Sequence, residues 1–397
     1  MTVGLLLMLM LASLWGCGTG GFEGSDNTSS SSPAANALLK RVAGVASKGP
    51  LRGGTVAFYA LNSNGSVGPL LKKTGTDAFG RYSSSVNITG PTLLSATGSY
   101  LDEATGADAT IAADSPLRAA VDTLSSAMTI AITPLTELAV RKTAPLLVGG
   151  SITAANKLVS DLFKVDILAT QPLAPTLEDF SYVGISQEQK DYTLALAAIS
   201  QMAHDDYGGS LSALMDALTS DLALGTTLSP ATSGRFASAL TTYLQSDQNH
   251  TGVRDVSATN LVNAGGGTLS IKLATSGTLA PGASIYGITV TLVLPVLATV
   301  RVSDFSLHQA DGRAVFASGA FNSATYTMAR FTPGTALAPP SLKVSVPQAS
   351  PSGLGEFLTV VCDVPPGSAY TSKDFSIDGI KVVGADGNEL TVTVILP

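Results

Sequence analysis

The side chains most able to do chemistry in this chain are few and stand far apart. Three histidines, His204, His250 and His308, fall in different segments, and none has a second His or Cys at the spacing a zinc site needs. Cys362 lies in the strand-like run FLTVVCDV, where a small buried hydrophobe is expected; Asp363 beside it opposes the lowered pKa that a catalytic thiol requires. The string DQNHTG (247–252) matches the first half of a calcium loop and offers Asp247, Asn249 and Thr251 as ligands. The twelfth position of such a loop should be a bidentate Glu, and here it is Ala258. The string also follows a helix end, where Asp, Asn and Gly commonly build a turn, so a turn is the expectation and a calcium loop the alternative. The carboxylates Asp102, Glu103, Glu178 and Asp179 would serve acid–base chemistry only if two of them met in a pocket. No nucleophile elbow, phosphate loop or dinucleotide fingerprint is present. The residues therefore predict a protein without enzymatic activity, cofactor or metal.

Composition narrows the setting. The 22 basic and 29 acidic residues leave a net charge of −7, a poor match to nucleic acid, whose phosphates require Lys and Arg. Charged residues make up only 13% of a chain rich in Ala, Thr, Ser, Gly and Val, which suits an exported, strand-rich protein.

The N-terminus opens on an apolar run, LLLMLMLASLW (5–15), shorter than the roughly 20 residues that span a bilayer. It closes on Leu14-Trp15-Gly16-Cys17, which resembles the lipobox of bacterial lipoproteins. Trp15 stands where that family prefers a small residue, and no Lys or Arg precedes the run. The resemblance implies that residues 1–16 are a signal peptide lost on maturation and that Cys17 is the lipid attachment site. A lipid on Cys17 would leave Cys362, the only other cysteine, without a partner, so no disulfide is expected. The stretch GTGGFEGSDNTSSSSPAAN after Cys17 is Gly- and Ser-rich without an apolar face, and it reads as a flexible tether over 17–38. The implied location is the outer membrane, lipid-anchored, with the body at the cell surface.

Beyond the tether, three parts succeed one another. Over 39–132 short strands alternate with turns: Val56, Phe58 and Ala60 alternate before a turn at 62–65, Asp77 and Gly80 bracket a tighter one, and strands are expected near 92–97, 109–112, 119–121 and 128–132. The stretches GVASKGPLRGGTVAFYAL (44–61) and TDAFGRY (76–82) resemble the carboxypeptidase regulatory-like domain, a transthyretin-like β-sandwich, which implies a folded spacer or partner-facing module. Over 133–264 the chemistry changes to helix, with about five helices forming a bundle. Thr133 caps one with Pro134 at its first position; Leu158 and Leu162 share a face of the next. Ser186 and Gln189 form a capping box ahead of Tyr192, Leu196, Ile199 and Ala203, and Ser229 with Pro230 precedes Phe236, Leu240 and Leu244. Gly265, Gly266 and Gly267 read as a linker, and strands return near 269–274, 288–294, 324–331, 342–346, 357–364, 380–383 and 390–396. This last part, 265–397, resembles the β-sandwiches of the cohesin and carbohydrate-binding-module group.

The fold expected is thus multidomain and mainly β with an α-helical middle. The function expected is a non-enzymatic exported lipoprotein serving as an envelope binding or structural scaffold. Its partners would be a membrane through the lipid, with an envelope protein or a polysaccharide as the second partner, and no nucleic acid. The alternative is a carbohydrate-binding or cohesin-type recognition protein, which would place Tyr286, Tyr326 or Tyr370 on one exposed face. Trp15, the only Trp, falls in the signal region, so such a face would lack the strongest sugar platform.

Overall fold

Short strands joined by tight turns build the first part of the chain. The computed structural model describes residues 39–397 except positions 145, 177–179, 182, 183, 224, 325 and 326. Strands β1 (Lys40–Val45), β2 (Arg52–Leu61), β3 (Val67–Gly75), β4 (Arg81–Val86), β5 (Thr92–Leu101), β6 (Asp108–Ile111), β7 (Leu117–Val121) and β8 (Ala127–Thr129) come first. They form two sheets, β4-β1-β8 and β3-β2-β5-β6, with β7 also on β5. Val42, Phe58, Tyr82, Leu94 and Ile130, drawn from both sheets and the segment after β8, share one core. Between β3 and β4, the Asp77 carboxylate accepts from the amides of Phe79 and Arg81, and Gly80 turns with φ +71°. β1 lies so close to the segment after β8 that a Cβ on Gly44 would sit 1.8 Å from the carbonyl oxygen of Ile130. The Tyr82 hydroxyl donates to that same oxygen at 2.7 Å.

β3 is not among the expected strands. Its Pro69 and outward-facing Leu70, Leu71, Lys72 and Lys73 break the alternation that marks a half-buried strand. As the edge of its sheet it tolerates a proline, and its lysines discourage pairing with another chain.

Five helices come next among the described residues: α1 (Pro134–Thr143), α2 (Gly149–Phe163), α3 (Gln187–Tyr207), α4 (Leu211–Asp221) and α5 (Pro230–Leu244). The Thr133 and Ser186 caps form as capping boxes, and Ser229 caps α5. Each cap satisfies amides that would otherwise be left without partners at a helix start. α3 is buried on every side from Asp191 to Ala203, more completely than its single apolar stripe implies, because other elements pack all round it. At its centre the Tyr192 hydroxyl meets the Thr133 hydroxyl at 2.7 Å and donates to the Ile167 carbonyl at 2.9 Å, tying the α1 cap to α3.

The chain ends in β9 (Thr268–Ser276), β10 (Ile285–Val293), β11 (Thr299–Val300), β12 (Val302–Asp304), β13 (Gln309–Ala310), β14 (Val315–Ala317), β15 (Met328–Thr332), β16 (Ser341–Ser352), β17 (Gly355–Asp363), β18 (Ser376–Val383) and β19 (Thr393–Ile395). A six-stranded sheet, β12-β13-β15-β16-β10-β18, shares a core with a five-stranded one, β11-β17-β9-β19, on which β14 also pairs with β17. β11 to β14 escape sequence periodicity because each is only two or three residues long. Among the described residues 35% are strand and 24% helix, so the fold is mainly β with a helical middle.

From Leu39 onward the chain is a single compact unit. The triple glycine expected as a linker is part of the packing: Gly265 and Gly266 are buried, and a Cβ on Gly266 would meet the Val364 carbonyl oxygen at 2.1 Å. Adding a methyl where the backbones touch most closely should therefore be costly. Gly44→Ala is expected to lower the free energy of unfolding by about 3 kcal/mol or more, read from urea unfolding midpoints.

Candidate functional site

The chain buries several charged side chains, and most of them meet where one part of the fold joins the next. Lys48, 1% exposed, reaches Asp102 at 2.7 Å, Glu103 at 3.3 Å and the Ser200 hydroxyl of α3 at 2.7 Å. Its ammonium also lies 5.0 Å from the centre of the Tyr100 ring. Glu103, equally buried, accepts from the Gly49 amide and the Ser200 hydroxyl. Burial alone would pull the Lys48 pKa down, but the carboxylates of Glu103 and Asp102 outweigh it and hold the ammonium charged above its usual range. Nearby, Arg118 of β7 grips the buried Glu137 of α1 with two bonds, 2.9 and 2.7 Å, and Arg141 adds a third at 2.7 Å.

The second joint is at the far side of the helices. Lys164, at the left-handed C-cap of α2 with φ +61°, reaches Asp363 at 3.1 Å and the Gly266 carbonyl at 3.1 Å. Arg301 shares the same Asp363 at 3.2 Å and touches Asp161 at 3.5 Å. Here burial, with the nearby Arg301 cation, outweighs the carboxylates of Asp363 and Asp161, so the Lys164 pKa is lowered. Burial pulls both lysines down; the carboxylates prevail at Lys48, whereas at Lys164 the neighbouring Arg301 sides with burial.

A fourth buried acid is held by amides instead of a cation. Asp191 of α3 accepts from Gln187 at 2.9 Å and from the Asn260 side chain at 2.7 Å, while Asn260 in turn pairs with both backbone groups of Val302. Desolvation raises the Asp191 pKa to about 7, against the hydrogen bonds that lower it.

Of the residues the sequence singles out, Asp102 and Glu103 are brought together, but on Lys48 and under α3 rather than in an open pocket. Glu178, Asp179, Tyr326 and Cys17, with the signal and tether segments, lie outside the described residues. Asn249 is buried; its amide nitrogen donates to Leu244 and Val253, and its oxygen accepts the Thr251 amide and hydroxyl. Those four bonds are the full complement of a carboxamide and close the chain after α5 as a turn. Asp247 beside it is exposed, and Ala258 lies in a 3-10 turn. Among the described residues no group of three or more His, Cys, Asp or Glu is arranged to hold a metal. Cys362 is fully buried in β17, and burial together with Asp363 pushes its thiol pKa up. His204 sits in the last turn of α3, 2.9 Å from Asp205; His250 is exposed, and His308 turns with φ +54°. Tyr286 opens β10, whereas the Tyr370 hydroxyl donates to Val296 beyond its other end, roughly 25 Å of strand away.

An open cavity of about 650 Å³ lies at one end of the C-terminal sheets and is apolar. Val262, Val296, Leu297, Phe305, Phe331 and Leu337 line it. Sequence reasoning missed it because its walls come from turns rather than from a periodic element. The uncharged strings LPVLA (294–298) and TPGTALAPP (332–340) are the available signal.

Comparison with known proteins finds no matching family model, no similar curated protein and no similar solved structure.

Two measurements test the buried charges. Lys48→Met strands Glu103 without its cation and should lower the free energy of unfolding by about 3–5 kcal/mol. Adding Glu103→Gln should recover roughly half of that loss in a double-mutant cycle. For Asp191, the folded state holds the proton more tightly than the unfolded chain does. Its contribution to stability is present in full below about pH 4 and is lost as pH rises to about 7. The wild type should lose more stability than Asp191→Asn between pH 4.5 and 7.5, by on the order of a few kcal/mol, as read from paired urea titrations.

Proposed function

We propose that this protein is a non-enzymatic exported lipoprotein, held to the outer membrane through Cys17, whose folded body is a cell-surface binding or structural scaffold. The observation that carries this reading is the placement of the buried charges. Lys48 and Glu103 through Ser200 of α3, Arg118 with Glu137, and Lys164 with Asp363 each join a sheet region to a helix or its end. Acid–base catalysis needs such groups aimed into a cavity that a substrate can enter. Here they face one another: a cavity of about 650 Å³ is lined by apolar and uncharged polar side chains, and in another, of about 430 Å³, Asp161, Glu188, Arg301, Asp311 and Arg313 are tied in ion pairs among themselves. A body welded in this way keeps its surfaces in fixed relation, which is what a display scaffold requires. The step from that rigidity to a role rests on analogy with anchored envelope modules.

On the same reading residues 39–132 are a transthyretin-like module and residues 265–397 a cohesin-like one. The first is supported by the shared two-sheet core and by the close approach at Gly44. A second reading, recognition of a carbohydrate by the C-terminal sheets, is favoured by one surface. On the outer face of the six-stranded sheet Arg330 stands directly opposite Lys343, with Thr289, Ser345 and Lys381 alongside. Like charges paired across strands oppose folding, so an acidic sugar on this face would relieve them.

The anchor is tested by growing cells with a labelled fatty acid. Wild-type protein should carry the label and fractionate with the outer membrane, and Cys17→Ala should lose both. Label retained by the variant would remove Cys17 from the assignment. Protease added to intact cells then separates a body at the surface, which is cut, from one facing inward, which is protected.

A further inference from the structure

The apolar cavity is edged by side chains that water should have driven inward. Leu337 is 98% exposed, Val296 66% and Leu297 64%, and Val262 stands beside them. Burying each would contribute on the order of 1.5–3 kcal/mol, so their gathering around one cavity calls for an occupant.

The local backbone is built to hold them out. The Ala298 amide closes a turn onto the Pro295 carbonyl, and Leu297 takes φ +68° at a position that favours Gly or Asn. Such a conformation costs a leucine on the order of 1 kcal/mol or more and persists only when its surroundings impose it. Two bonds impose it here. The buried Asn263 amide donates to the Leu297 carbonyl at 2.9 Å, and the Tyr370 hydroxyl donates to the Val296 carbonyl at 2.7 Å. Across the cavity, Leu337 rides on a loop closed by Thr335, whose amide donates to the Ala338 carbonyl and whose hydroxyl accepts from Leu337 and Ala338. Pro333, Pro339 and Pro340 stiffen the ends of that loop.

We propose that this rim is a membrane contact, inserting Val296, Leu297 and Leu337 into the interfacial layer of a lipid bilayer. Three features favour a bilayer over a protein partner. None of the side chains lining the cavity is charged, in a chain whose net charge is −7, so nothing on the rim is repelled by an anionic leaflet or reads a charged partner. The apolar tips sit on separate turns around an open cavity, a geometry that suits a fluid apolar phase. And the bilayer is within reach: the 22 positions from 17 to 38 can bridge at most about 75 Å. This last argument rests on the lipid-anchor reading, and it gives the rim the role of a second attachment that fixes how the tethered body is oriented.

The test uses residues 18–397 exported behind an ordinary signal peptide, so that no lipid is attached. Vesicles of phosphatidylethanolamine with a minor share of phosphatidylglycerol are the probe, and co-sedimentation is the readout. The unlipidated chain should partition onto vesicles with little dependence on salt. Leu337→Asp and Val296→Asp should each weaken partitioning about tenfold or more while leaving thermal unfolding unchanged, since both side chains are exposed. Leu70→Asp, on the exposed β3 edge, should bind as the parent does. No binding of the parent at any lipid concentration overturns the proposal, as does unchanged binding of both rim variants. A dimer that the rim variants dissolve, without vesicle binding, overturns it in favour of a second copy of the chain. Loss of the anchor reading would show only in the fatty-acid experiment on Cys17 and would leave the vesicle result standing.

Discussion

A charge taken out of water must find its opposite, and the joints of this protein are built on that constraint. Lys48 is the clearest case, because its ammonium is enclosed by the first sheets and α3 and survives only because Asp102, Glu103 and Ser200 surround it. Lys164 repeats the device with Asp363 at the other side of the helices. Such pairs add little to net stability over a well-packed apolar joint, but they penalise every arrangement that leaves one partner alone. They specify how sheet and helix fit, and that is why the described chain forms one compact unit rather than three loosely strung ones.

The parts of the fold legible in the sequence are those governed by neighbours in the chain. The Thr133, Ser186 and Ser229 caps, the Asp77–Gly80 turn and the long strands β5, β10 and β17 are all visible as short-range patterns. What escapes is long-range. Nothing around Lys48 announces that it will be buried, because its partners are more than fifty residues away and one lies in a helix. Gly265 to Gly267 look like a linker because three glycines are flexible in isolation. In the fold Gly265 takes φ +82° and backbone passes too close to Gly266 for a side chain, while the carbonyls of Gly266 and Gly267 receive Lys164.

The candidate sites divide the same way. The DQNHTG string is legible as either a calcium loop or a turn, and what decides Asn249's bonding is the local reach of one carboxamide to four partners. Asp102 and Glu103 are visible in the sequence only as adjacent acids, and their shared cation is not. The apolar rim is hidden because hydrophobic residues in turns carry no period, and because exposure is a property of the finished surface.

The sequence distances across the Lys48 joint bear on how the chain comes to be folded. Ser200 lies 152 positions after Lys48, so α3 covers a cluster assembled from residues far earlier in the chain. Without α3 the sheets would leave Lys48, Asp102 and Glu103 in water, where an ion pair costs little to keep. The docking of α3 is the step that strips their water, and it succeeds only if the pairing is already correct. Dehydration thus acts as a checkpoint on the first module, since a mispaired set of charges would resist being covered.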